Sequence, residues 1–115
     1  MSRVLTLSLI AFACFASVRA QTRQPIVPFL DEVIINSTSG RATAYFGYSN
    51  PNANAVTLNV GDPVNYFFPS PQNRGQTTRF VPGTHHYAFA SLFLYADEPT
   101  LTWIVDGSAA TLIHL

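Results

Sequence analysis

The sequence predicts an all-β protein: a single antiparallel β-sandwich of about seven or eight strands, immunoglobulin-like in plan, with a small β-barrel as the alternative. Three observations lead there. Short runs rich in β-branched and aromatic residues recur about every 8–12 residues. Clusters of Gly, Pro, Asn and Ser separate them. Eight prolines and six glycines, all beyond residue 20, leave no convincing helix there.

The strands follow in order. Glu32–Asn36 (EVIIN) is the first, closed by the turn Ser37-Thr38-Ser39-Gly40. Ala42–Tyr48 (ATAYFGY) is the second. Ser49–Asn54 (SNPNAN) is turn chemistry, because Asn tolerates left-handed φ and Pro fixes its own. Ala55–Val60 alternates, with Val56, Leu58 and Val60 on one face. Asn65–Phe68 (NYFF) ends at Pro69 and Pro71, and Thr77–Val81 ends at Pro82-Gly83. His86–Leu94 is the longest candidate; its Leu, Ala and Phe also tolerate a helix, but its neighbours are all strand-like. Leu101–Val105 turns Leu101, Trp103 and Val105 inward. Asp106-Gly107 is a two-residue hairpin signal. Ala109–His114 returns as the last strand, with Ala109, Thr111 and Ile113 on one side and Ala110, Leu112 and His114 on the other.

The first 20 residues have the zones of a secretory signal: Arg3, an apolar run from Val4 to Ala16, then Val18 and Ala20 before a cut at Gln21. The run is too short for a membrane-spanning helix, which needs roughly 20 residues. The expected organisation is therefore a signal peptide (1–20), an extended lead-in (21–30) and the sandwich (31–115). Cleavage removes Cys14, the one cysteine, together with Arg3 and Arg19. The mature chain keeps four arginines against six acids, a net charge of −2. It has no disulfide to staple it, so its core must carry the stability. Four scattered cations are poor ligands for a phosphate backbone, because counterion release needs many on one face. The expected setting is secreted and extracellular. No nucleic-acid partner is expected, nor stable membrane insertion of the mature chain.

The stretch from Tyr45 carries a run of turn-and-strand motifs: FGYSNPN (46–52), AVTLNVG (55–61), NYFFPSP (65–71), NRGQTTRFVPG (73–83) and LTWIVDGSAAT (101–111). Over Thr43 to Thr111 the chain resembles a small extracellular module of unassigned function found in secreted and surface proteins, often beside other domains. The resemblance implies a β fold and brings no catalytic or binding residue with it.

Asn36-Ser37-Thr38 is the chain's single N-x-S/T triplet, an N-glycosylation acceptor if the exporting cell is eukaryotic. His85-His86 would need His114 or Asp97-Glu98 to hold a metal, and adjacent strand residues face opposite ways. No metal or cofactor is implied. The serines at 37, 39, 49, 70, 91 and 108 lack the strand–turn–helix context of a nucleophile elbow. Asp31-Glu32 and Asp97-Glu98 read as solvated strand ends. A hydrolase or inhibitor would need a concave pocket with convergent polar groups.

Two binding candidates remain. The loop of Asn73, Arg74, Gly75 and Gln76 offers a guanidinium and two amides; the alternative is a turn whose arginine closes a local hydrogen-bond network. The rings of Tyr45, Tyr48, Tyr66 and Tyr87, with Phe67 and Phe68, exceed what one inner face needs. Tyr45 and Phe46 must point opposite ways on a strand, as must Phe67 and Phe68, so some rings lie outside. The expected function is a non-enzymatic binding or structural module contacting an extracellular protein, matrix or glycan. The alternative is a carbohydrate-binding module using stacked Tyr and Trp.

Overall fold

A computed structural model describes residues 22–98 and 100–113. The expected signal peptide and His114, expected on one side of the last strand with Ala110 and Leu112, lie outside the described residues. Among the described residues eight strands follow one another: β1 (Val27–Asn36), β2 (Arg41–Asn50), β3 (Val56–Thr57), β4 (Asn65–Phe68), β5 (Arg79–Phe80), β6 (Gly83–Leu94), β7 (Thr100–Val105) and β8 (Ser108–Ile113). They form two three-stranded antiparallel sheets, β1-β2-β6 and β4-β7-β8, and the short pair β3-β5. These orders match the A-B-E and C-F-G sheets of an immunoglobulin sandwich. Both sheets stay open at their edges, so the barrel alternative is not realised.

The core lies between the two sheets and is built from alternate residues. Ala42, Ala44, Phe46 and Tyr48 face it from β2, and Leu101, Trp103 and Val105 from β7. Ala110 and Leu112 are buried on β8 while Ala109, Thr111 and Ile113 are exposed, as the alternation predicts. Rings lock the sheets together. Trp103 meets Phe89 edge-on at 4.7 Å between centroids, and Phe46 meets Phe67 at 5.4 Å. Edge-to-face contacts of this kind add about 0.5–1.5 kcal/mol each beyond area burial.

Two asparagine hubs satisfy several of the polar groups inside the core, although the buried Ser91 hydroxyl has no hydrogen-bond partner among the described residues. The Trp103 Nε1–H donates to Asn65 Oδ1 at 2.9 Å, and Asn65 Nδ2 donates to the Leu58 and Thr77 carbonyls. Asn50 Nδ2 donates to the Phe80 and Asn54 carbonyls. These bonds explain why β3 and β5 are shorter than the alternation predicts. The Leu58 and Thr77 carbonyls are given to a side chain rather than to a ladder, and Gly61 turns the chain back to bridge Asn65.

The lead-in assignment is corrected at its C-terminal end. β1 starts at Val27, inside the segment expected to precede the domain, and Ile26 is fully buried. Side chains dock the residues before it. Asn52 Oδ1 accepts from Gln24 N–H and its Nδ2 donates to the Gln24 carbonyl, as a neighbouring strand would. Asp106 accepts from Ile26 N–H and from both Arg23 Nη groups. Asp106 and Gly107 have φ of 54° and 88°, the double left-handed pair of a type I′ turn.

Candidate functional site

The outer face of β1-β2-β6 is the one that does not meet the other sheet. The pairing register sorts its residues into rows: Val27, Ser49 and Thr84; Glu32, Tyr45 and Ala90; Ile34, Thr43 and Leu92; Asn36, Arg41 and Leu94. Ile34, Leu92 and Leu94 are exposed.

Between the first two rows the sheet is irregular on both sides of Gly47. Asp31 is the extra residue of a bulge in β1, between Leu30 and Glu32. On β6 the register slips between His85 and Phe89, across from Gly47. Strands two apart in a sheet lie roughly 10 Å from each other, so β1 and β6 side chains ordinarily do not bond across the middle strand. Here they do. A Cβ on Gly47 would sit 2.8 Å from Asp31 Oδ2 and 2.5 Å from a Phe29 ring carbon, and would strike the His85 carbonyl. The missing side chain is the gap through which Asp31 reaches β6.

Asp31 uses both oxygens there. Oδ1 lies 2.7 Å from His86 Nδ1, and Oδ2 accepts the Tyr87 backbone N–H at 2.7 Å. The Asp31 side chain is 9 % exposed and that of His86 63 %. Tyr87 has φ of 53°, a strained conformation for a bulky residue. Its phenol donates to Glu32 Oε1 at 3.0 Å. That bond, with the Glu32 charge, holds the phenol's ionisation above its ordinary range. The Tyr45 and Tyr87 rings lie 5.5 Å apart at 62°, and Phe29 packs on His86 at 5.0 Å. The result is a braced cluster of four rings on an outer face. Asp31 fixes the orientation of the His86 ring through Nδ1, and His86 Nε2 has no hydrogen-bond partner among the described residues.

The residues singled out from sequence fall in several separate places. Tyr45 and Tyr87 join the cluster. Tyr48 does not: it is 4 % exposed, and its hydroxyl accepts the Val81 N–H. Tyr66 lies half-buried on the outer side of the other sheet, where Phe68 is 62 % exposed while Phe67 is buried. In the Asn73–Gln76 loop the arginine closes a hydrogen-bond network, which is its alternative reading. Arg74 Nη2 donates to the Pro69 and Ser70 carbonyls and pairs with Glu98 Oε1 at 2.6 Å, and the Arg74 side chain is 8 % exposed. Gln76 is buried between Arg74 N–H and the Gln72 carbonyl, and Asn73 Oδ1 accepts the Gly75 N–H. The buried guanidinium is held through Nη2 by Pro69, Ser70 and Glu98, and the Gln76 amide is engaged within the loop, so neither is presented to a ligand. Asn36 is exposed, and its Oδ1 caps Thr38 and Ser39 N–H groups.

Two acidic pairs depart from their reading as solvated strand ends. Asp31 braces β6, and Glu98 neutralises Arg74. Sequence reasoning missed Phe29, Asp31 and His86 as members of one cluster. The available signal was Gly47 between two aromatic residues inside a strand, because a glycine there marks a close backbone approach. His85 and His86 do face opposite ways: His85 packs on Tyr48 at 5.0 Å and contacts the Pro82 carbonyl. An open pocket elsewhere, lined by Arg23, Gln24 and the Pro51–Val56 segment, has its Asn52 amide wholly engaged in docking the chain. Comparison with protein-family models, with curated proteins and with solved structures found no match.

Proposed function

We propose that the exported chain is a non-enzymatic binding module that contacts an extracellular protein through the ring cluster of Phe29, Tyr45, His86 and Tyr87. The observation that carries this reading is Tyr87. A bulky residue held at positive φ costs about 1–3 kcal/mol, and such strain persists where surroundings enforce it, commonly at functional sites. Here Asp31 and Glu32 enforce it, and the gain is a half-exposed ring, not a buried one. Aromatic residues with a polar handle are the anchors that recur in protein interfaces.

The tilt between Tyr45 and Tyr87 favours a protein over a sugar. At 62° the two rings offer no flat shared platform, and Trp103, the residue best suited to stack on a sugar, is fully buried. The test is capture from the secreted and surface fraction of the source cells on immobilised chain, comparing wild type with the Tyr45→Ala, Tyr87→Gly double variant. Glycine at 87 removes the ring while relieving the strain. A defined protein retained by wild type and lost by the variant is the expected result. Equal retention by both, or retention of free glycans that depends on Tyr87, contradicts the reading.

A further inference from the structure

We propose that Asn36 carries an N-linked glycan whose first sugars cover the apolar row beside it. This stands on the far end of the same outer face and does not depend on the ring cluster. Asn36-Ser37-Thr38 has the acceptor pattern, and all three residues are exposed at the β1–β2 hairpin. The Asn36 amide is oriented for it. Its Oδ1 accepts Thr38 N–H at 3.0 Å and Ser39 N–H at 3.2 Å, while its Nδ2 has no partner among the described residues.

The covering role comes from register. Asn36 shares its row with Arg41 and Leu94, and Ile34 sits two residues back on the same face, next to Thr43 and Leu92. Ile34, Leu92 and Leu94 are 50 %, 67 % and 41 % exposed. Two residues along a strand span about 7 Å and two strands about 10 Å, a distance that a pair of linked pyranose rings covers. An uncovered apolar patch of this kind invites association, and a bulky, solubilising sugar prevents it.

The donor is a polyprenyl-diphosphate-linked oligosaccharide. Asn36 Nδ2 attacks C1 of the first sugar and a C1–N bond forms. The C1–O bond breaks, the diphosphate leaves with its electron pair, and the proton that Nδ2 loses passes to solvent water.

The test expresses the full chain in a eukaryotic secretory host. The secreted protein should be heavier than its polypeptide by one oligosaccharide. Thr38→Ser should retain sugar and Thr38→Ala should lose it. Thr38→Ala leaves the Asn36 cap intact, because the cap uses backbone N–H groups, so the variant should fold. It should then self-associate in light scattering at a concentration where the glycosylated chain is monomeric, and Leu92→Glu in the same chain should restore the monomer. Two results would overturn the proposal. One is a secreted chain without sugar in a host that glycosylates a control protein. The other is a Thr38→Ala chain as monodisperse as wild type.

Discussion

Gly47 and Asp31 act together at the residue scale. A methyl at position 47 meets the His85 carbonyl, Phe29 and the Asp31 carboxylate, and the first of these is backbone that cannot swing aside. Gly47→Ala should therefore destabilise the fold by about 1–3 kcal/mol, the range for overpacking a tight site. A denaturation midpoint equal to that of wild type would contradict the crossing contact. Trp103 is the larger single contributor to the core. It is fully buried, touches Phe46, Phe67, Phe80 and Phe89, and donates its one N–H to Asn65. Trp103→Ala should cost about 3–5 kcal/mol by calorimetry or denaturant titration. A loss below ~1 kcal/mol would place the ring outside the core.

Asp106 joins two elements: it forms the apex of the β7–β8 hairpin and holds the segment ahead of β1. Its bond to Arg23, with help from Ile26 N–H, lowers its folded pKa below the ordinary 3.8. As pH falls, the unfolded chain therefore binds the proton first. The contribution of Asp106 is fully present above about pH 4 and is lost as pH drops through its lower folded value. Asp106→Asn should be less stable than wild type at neutral pH and should lose less stability on acidification, measured by thermal melts from pH 6 to pH 2. Parallel losses in the two chains would show that the carboxylate is not coupled to folding. The hairpin was legible in the sequence because an Asp-Gly turn and period-two alternation are local signals. The docking of Arg23–Ile26 was not, because Asp106 lies 80 residues from Ile26 along the chain.

Across the whole molecule, the same division between local and distant signals separates what could be read from what could not. Alternation placed Leu101, Trp103 and Val105 inside, and the opposed neighbours Phe67 and Phe68 split as the pleat requires. The chemistry of the Asn73–Gln76 loop was visible, but its arginine is consumed by Glu98 at a separation of 24 residues. The ring cluster was only half legible. Tyr45 and Tyr87 stood out as excess rings, whereas Asp31 and His86 come together across 55 residues through two bulges that residue spacing does not encode. The fold thus provides a disulfide-free aromatic core and, on its back, rings fixed in place by carboxylates. If that outer face is the contact surface, its tyrosines must change reactivity when a partner arrives. Covalent tyrosine labelling read by mass spectrometry, with and without the captured partner, is the most direct measurement. The account predicts that Tyr87 and Tyr45 are protected while Tyr66, on the opposite sheet, labels as before. Protection of Tyr66 with Tyr87 still fully reactive would contradict it.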